Sequence, residues 1–167
     1  MKRCLVLIAI VFMAFSAEAD QSLINKKAPE FSLLDQYDRS FTLQSFSGHP
    51  MILLACDKKG SELNGPWKTA IIVRYAGRVP CLGVADLRTV MFFMTGIVKR
   101  HFKKEPASVL LDWDGELFTA YGLAQNVPNI ILIDANGFVR HMYSGSASSE
   151  AIGQLFNAVD DIKKKVP

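Results

Sequence analysis

Residues 51–86 decide the fold, and they read MILLACDKKGSELNGPWKTAIIVRYAGRVPCLGVAD. Met51–Cys56 is a continuous apolar run, and residues 79–85 form a second one. Such runs are typical of buried parallel strands. Apolar residues at helical spacing lie between them and predict a helix with one buried face. That face carries Leu63, Trp67, Ala70, Ile71 and Tyr75. A strand–helix–strand crossover of this kind makes the two strands parallel neighbours in one sheet.

Further elements are predicted on both sides of this unit. Residues 31–46 alternate apolar and polar side chains around Asp38, a residue that tolerates positive φ, and this predicts an N-terminal β-hairpin. Downstream, we expect a helix over 87–103, a strand over 108–112, a short helix over 115–121, a hairpin of strands 129–133 and 138–143, and a helix from Ser148. The order predicts an α/β fold: a mixed sheet with parallel central strands, an antiparallel C-terminal hairpin, and helices on both faces.

The first 19 residues have the pattern of a signal peptide. Lys2 and Arg3 precede an apolar run over residues 5–15, and residues 17–19 (AEA) offer a small-x-small cleavage site. We therefore expect a leader over 1–19, one domain over 20–167, and a periplasmic mature protein. The alternative is an uncleaved N-terminal segment that anchors the protein to the membrane, although the apolar run is short for a bilayer.

Charge excludes one large class of function. The chain of 167 residues has a formal net charge of +3, and removal of the leader would lower it to +2. Basic residues do not form the stripe that nucleic-acid binding needs, so we expect no nucleic-acid partner.

Several short phrases, taken in order, resemble one known family. They are residues 28–33 (APEFSL), 48–50 (GHP), 111–115 (LDWDG), 121–123 (YGL), 126–128 (NVP) and 131–134 (ILID). Together they resemble the redoxin branch of the thioredoxin-like superfamily, which includes alkyl hydroperoxide reductase and thiol-specific antioxidant proteins and periplasmic disulfide reductases. The resemblance covers the mature chain and implies a thioredoxin-like fold.

The chain departs from this family at the redox motif. In the redox members, a Cys-x-x-Cys or a single peroxidatic cysteine opens the helix after the first central strand. Here that position reads GSEL over residues 60–63, with no cysteine. A helix start lowers the pKa of a thiol, so a cysteine placed elsewhere lacks this help. Residues 60–64 (GSELN) are also similar to a periplasmic branch that has Gly-Ser-x-Glu/Lys-x-Asn in this slot.

Two cysteines remain after the leader, and we expect them to stay unpaired. Cys56 ends the first central strand and Cys81 begins the second, so they are staggered along neighbouring strands beyond the reach of a disulfide. Cys56 is either a displaced single reactive thiol, and the candidate catalytic residue, or a small buried apolar side chain. Cys81 is interpreted as buried.

The emptied redox slot is the candidate binding groove. The resemblance implies that the Val127–Pro128 bond is cis and faces the slot, where the backbone of Val127 binds extended peptides, or where Pro128 only maintains the fold. Lys58, Lys59, Gly60 and Ser61 line the other side. Backbone N–H groups at a helix start, beside two lysines, are suited to a small anion, although an ordinary solvated loop has the same composition. The predicted ligand is a peptide, a protein or a small anion.

No metal or cofactor is expected. His49, His101 and His141 are scattered, and a copper-type Cys-x-x-x-Cys would need its second cysteine at Gly60. The helix over 87–103 is apolar around more than half of its circumference. Its inward stripe is expected to carry Val90, Phe93, Met94, Ile97, Val98 and Phe102. Met91 and Phe92 then belong either to a wide core face or to a contact with a protein or membrane surface.

Three functional hypotheses follow from these residues. The first is a redox-inactive binding or accessory protein of the cell envelope that uses the groove. The second is a one-cysteine thiol oxidoreductase or peroxidase centred on Cys56. The third is a subunit or scaffold that docks through the helix bearing Met91 and Phe92.

Overall fold

A mixed β-sheet with helices on both faces organises residues 23–164, which are the residues described by the computed structural model. The predicted leader and its cleavage site lie outside them. The strands are β1 (Ser32–Asp35), β2 (Ser40–Thr42), β3 (Met51–Cys56), β4 (Cys81–Asp86), β5 (Val109–Asp112), β6 (Asn129–Ile133) and β7 (Val139–Ser144). The helices are α1 (Lys58–Ser61), α2 (Asn64–Tyr75), α3 (Thr95–Phe102), α4 (Glu116–Ala120) and α5 (Ser149–Lys164), with 3-10 turns at Leu43–Phe46 and Phe92–Met94.

The sheet has the order β2-β1-β5-β4-β3-β6-β7. Strands β3, β4 and β5 run parallel, and β6 and β7 form the antiparallel hairpin at one edge. The N-terminal hairpin of β1 and β2 joins the other edge, with Asp38 at φ 62° in its turn. The predicted α/β fold is confirmed.

Strand β3 is buried along its whole length because both of its faces are covered. Leu53 points into the core that holds Phe118 and Tyr121, whereas Ile52 and Leu54 point into the opposite core. Trp67, Ile71 and Tyr75 fill that second core from α2, as the helical spacing predicted, together with Leu155 and Val159 of α5. The continuous apolar run of β3 therefore reflects burial on two faces.

Two local predictions about α1 and α2 are wrong. The loop expected before the helix contains a helical turn, α1, because the Asp57 side chain caps it by accepting a hydrogen bond from the Gly60 N–H. Leu63, expected on the buried face of α2, is exposed because it lies in the break between the two helices, where it precedes the first residue of α2.

The helix expected over 87–103 is shorter than predicted. Residues 87–91 form turns, and α3 begins only at Thr95. Asp86 at the end of β4 accepts a hydrogen bond from the Arg88 N–H, and the Leu87 N–H bonds to the carbonyl of Asp112, so the chain is held in a turn there. Val90, Val98 and Phe102 pack inward as expected, but Phe93 and Ile97 are exposed. None of the helices within residues 23–164 is long and apolar enough to cross a membrane.

Candidate functional site

The carboxylate of Asp57 ties together the elements that meet at the end of β3. Its Oδ1 accepts a hydrogen bond from the Gly60 N–H at 2.7 Å, which caps α1. Its Oδ2 accepts one from the Asn126 N–H at 2.8 Å, which holds the loop before β6. One side chain thus fixes both walls of the predicted groove relative to each other.

Gly60 and Val127 are in direct contact across this junction. Gly60 is buried, and a Cβ added to it would lie 2.6 Å from the carbonyl oxygen of Val127 and 2.8 Å from the carbonyl carbon. The same Cβ would lie 3.1 Å from the Cβ of Cys56. Real Cβ atoms do not approach backbone this closely, so the first position of the former redox slot is filled by the backbone of Val127.

Asn129 completes the junction from the start of β6. Its Oδ1 accepts hydrogen bonds from the Ala124 N–H at 2.9 Å and from the Ser144 hydroxyl at 2.6 Å. Its Nδ2 lies within hydrogen-bond distance of the carbonyl oxygens of Ala55, Ala124 and Val127. The Val127 carbonyl, which the family resemblance made the acceptor for a peptide, is therefore engaged inside the fold.

The predicted groove residues are only partly brought together. Gly60, Val127 and the buried Pro128 belong to the junction, whereas Lys58, Lys59 and Ser61 are exposed. Neither lysine forms a salt bridge with any carboxylate of residues 23–164. The N–H of Gly60 is already bonded to Asp57, whose negative charge disfavours a second anion there. The geometry therefore favours a peptide over a small anion as a ligand of this region.

The expected cis bond before Pro128 is not found. Every peptide bond in residues 23–164 is trans, including Val127–Pro128. The chain turns one residue earlier, where Asn126 adopts φ 64°, a conformation that asparagine tolerates better than most residues. The Pro128 carbonyl accepts a hydrogen bond from the Gly145 N–H, which joins the loop to the end of β7.

Cys56 lies beneath this junction and is only 7 % exposed. Burial raises the pKa of its thiol, and the nearby Asp57 charge acts in the same direction, against the lowering effects of the Asn64 hydrogen bond and of Lys68. The thiol is thus protonated at neutral pH, and it is a poor nucleophile in this state.

Asn64 is the site residue that sequence reasoning missed as a contact of the thiol. Its Nδ2 donates to Cys56 Sγ at 3.0 Å, and its Oδ1 is buried without a hydrogen-bond partner among the described residues. The available signal was its spacing: Asn64 lies at helical spacing with Trp67, Ile71 and Tyr75, so a polar amide occupies the buried stripe of α2.

Cys56 and Cys81 are free thiols, as predicted. Strand register pairs Cys81 with Ile52 and Cys56 with Ala85, so four residues separate the two cysteines along neighbouring strands. This stagger is on the order of 13 Å, whereas a disulfide needs Cα atoms within about 7 Å. Burial raises the pKa of Cys81 to about 11.

Solved structures with the same architecture were found, although the sequence matches no protein-family model and no curated protein. The exposed lipoprotein thioredoxin Etrx1 of Streptococcus pneumoniae is 22% identical, with a TM-score of 0.62 over 77% of this chain and 98% of that one. A putative thiol:disulfide interchange protein DsbE of Chlorobium tepidum is 20% identical, with a TM-score of 0.63 over 83% and 96%. The 2-Cys peroxiredoxin of Plasmodium vivax is 19% identical, with a TM-score of 0.60 over 86% and 99%.

The chain has a thioredoxin-like fold. Its structural neighbours are thiol-disulfide oxidoreductases and peroxiredoxins, which confirms the redoxin resemblance at the level of fold. Fold alone does not carry activity, so function must be argued from the site.

Two cavities lie away from the junction in this thioredoxin-like domain. One of about 320 Å³ lies between the start of β3 and the end of β6, beside Lys27, His49 and Asp134. A neighbouring one of about 300 Å³ includes Asn25, Arg140 and Asp161. Both lie at the opposite end of β3 from Cys56, so neither gives access to its thiol. No cluster of three or more His, Cys, Asp or Glu that could hold a metal occurs in residues 23–164.

Proposed function

We propose that this chain is an exported thioredoxin-fold protein that acts by binding, as an accessory protein of the cell envelope, and not by dithiol–disulfide exchange. One observation carries the proposal: the position of the redox cysteine is Gly60, and the Val127 carbonyl is packed against it. Exchange between thiols and disulfides needs an accessible thiolate, and this end of the sheet offers only the buried, protonated Cys56.

Two lines support the cellular setting. The leader-like pattern over residues 1–19 predicts export. Among proteins of the same fold, the one from Streptococcus pneumoniae is an exposed lipoprotein, and the one from Chlorobium tepidum is a putative DsbE. The expected location is therefore the periplasm, with membrane anchoring through an uncleaved leader as the alternative.

The proposed ligand is a peptide segment of a partner protein, bound over the rim of the junction. Exposed Lys58 and Lys59 lie in α1, and the exposed apolar side chain of Leu63 follows them. Lysines beside an apolar side chain suit an acidic segment with one apolar anchor. The inner backbone of Val127 is not available for strand-like pairing, so the contact would be made by side chains.

Insulin reduction by dithiothreitol tests the proposal. We expect no acceleration by the purified protein, and no change on Cys56→Ser. Acceleration that is lost in Cys56→Ser but kept in Cys81→Ser would overturn the proposal, because it would place exchange chemistry at the junction.

A second candidate, a one-cysteine peroxidase at Cys56, is favoured by the Asn64 contact alone. The amide N–H can stabilise a thiolate, and the unpartnered Oδ1 can accept from a sulfenic acid hydroxyl. In that reaction a peroxide would transfer one oxygen atom to the thiolate and leave as an alcohol or water. Trapping with dimedone after dilute hydrogen peroxide separates the two: a stoichiometric adduct on Cys56 favours this candidate, and its absence favours the binding protein.

A further inference from the structure

Four apolar side chains project from the protein around the start of α3. They are Met91, Phe92, Phe93 and Ile97, here called the α3 patch, and each is more than half exposed. Phe92 is 86% exposed, and its ring meets that of Phe93 edge to face at a centroid distance of 5.8 Å. Exposed apolar side chains are ordinary when they are scattered, whereas a cluster of this kind marks an interaction surface.

The α3 patch is not an unpacked piece of the core. Val98 and Phe102, on the other side of α3, pack with Val90 against Leu87 and Leu111. The helix therefore has its own core contact, and the patch is an additional apolar surface on its outer side.

The surroundings of the α3 patch are strongly basic. Residues 88–104 contain five Lys and Arg and no Asp or Glu, in a chain whose net charge is only +3. Arg88 pairs with Asp86, and Lys99 pairs with Asp38. The remaining three, Arg100, Lys103 and Lys104, have no carboxylate partner among residues 23–164. The nearby Glu105 is engaged with Lys68.

We propose that the α3 patch docks the protein on an anionic lipid bilayer. A phenylalanine ring that is 86% exposed stands out from the surface and does not line a groove, so it suits a soft interface into which it can insert. The unpaired cations, which follow on the same helix and just beyond its end, suit anionic headgroups. Protruding aromatic rings and adjacent unpaired cations are together the combination by which peripheral proteins bind lipid surfaces.

This proposal goes beyond the proposed function and does not depend on it, since a protein at the membrane surface can be redox-silent or redox-active. It also differs from anchoring by an uncleaved leader, because it places the contact on the folded domain. The thiol assays above and the lipid assay below read different residues, so the failure of one proposal is distinguishable from the failure of the other.

Vesicle co-sedimentation tests the α3 patch. The mature protein recovered from an expressing bacterium, with its N-terminus determined by mass spectrometry, is mixed with phosphatidylglycerol–phosphatidylethanolamine vesicles or with phosphatidylcholine vesicles. We expect binding to the anionic vesicles that weakens with added salt, and little binding to the neutral ones. The double variant Phe92→Ser/Phe93→Ser is expected to lower the partition coefficient by about tenfold or more.

Matched variants decide what a loss of binding means. Arg100→Glu/Lys104→Glu is expected to abolish the preference for anionic vesicles. Ile72→Ser/Val73→Ser removes two side chains that are similarly exposed on α2, and it should bind as the wild type does. All variants share one N-terminus, and circular dichroism checks that each is folded.

Three results would overturn the proposal. The wild type could fail to bind anionic vesicles at low salt, or the α2 control could lose as much binding as the patch variant. In the third case, Phe92→Ser/Phe93→Ser would convert a dimer to a monomer in analytical ultracentrifugation and leave vesicle binding intact, which would assign the patch to a second copy of the chain.

Discussion

Gly60 shows how the redox slot of a thioredoxin fold can become part of the packing. In this chain the residue has no side chain, and the Val127 carbonyl occupies the space that a Cβ would need. The same absence that removes the thiol therefore allows the loop before β6 to close on α1. The missing cysteine was legible in the sequence, but this contact was not, because it joins residues 67 positions apart through backbone atoms.

Gly60→Ala should destabilise the protein. The added Cβ would clash with the backbone of Val127, which cannot move without breaking the hydrogen bonds of Asn129. We expect a loss of about 1–3 kcal/mol in the free energy of unfolding, as for overpacked core sites, measured by urea denaturation.

Gly153→Ala is the matched control. This glycine lies inside α5 with no atom near the position of a Cβ, so alanine should stabilise the protein by up to about 1 kcal/mol through helix propensity. Equal effects at the two positions would contradict the contact between Gly60 and Val127.

At the scale of elements, Asp57 links β3, α1 and the loop before β6. It is a cap for α1 and at the same time the acceptor for the Asn126 N–H. A helix of only four residues, Lys58–Ser61, has little stability of its own, so the cap and the junction are what hold it.

Graded substitutions at Asp57 separate its two roles. Asp57→Ala removes both hydrogen bonds and should cost about 1–3 kcal/mol of unfolding free energy. Asp57→Asn keeps an oxygen for the cap but replaces the second acceptor by a donor, so its cost should be smaller. Urea denaturation measures both variants; an asparagine variant as unstable as the alanine variant would contradict the separation.

Element boundaries also show where sequence reasoning stopped. Apolar periodicity located the seven strands and the long helices to within a few residues, because burial on one or two faces imposes it. The helix expected over 87–103 was overextended, because the Asp86 turn competes with helix formation and apolar residues such as Phe93 and Ile97 were assigned to a core that they do not reach. An exposed apolar side chain cannot be told from a buried one by its type alone.

At the scale of the whole molecule, the fold was predictable and the site was not. Strand order follows from the crossover rule and from hairpin signals such as Asn136-Gly137, which act locally along the chain. The network of Asp57, Asn64, Asn129 and Cys56 depends on side chains meeting from separate elements, and only the polar residue in the apolar stripe of α2 hinted at it. A trans bond at Val127–Pro128 was likewise invisible from the residues.

The stability of the whole molecule should fall at alkaline pH through its buried thiols. Burial raises the pKa of Cys81 to about 11 from 9.0, so between these values the unfolded chain releases a proton that the folded chain retains. Stability from this group is complete below pH 9 and is lost as the pH rises above it. Cys56 acts in the same direction.

Urea denaturation at pH 8 and pH 10 measures this effect. The wild type should lose about 1 kcal/mol more unfolding free energy between the two pH values than Cys81→Ala does. Parallel losses in the two proteins would show that Cys81 ionises as easily in the folded state as in the unfolded state.

The most direct test of the central claim is the rate at which Cys56 is alkylated by iodoacetamide at pH 8, native against denatured, with mass spectrometry assigning the modified residue. A closed junction over a buried, protonated thiol predicts native labelling at least about 100-fold slower than in denaturant, limited by opening of the fold. Labelling of native Cys56 as fast as in the denatured chain would contradict the closed junction, and it would return Cys56 to the position of an active thiol.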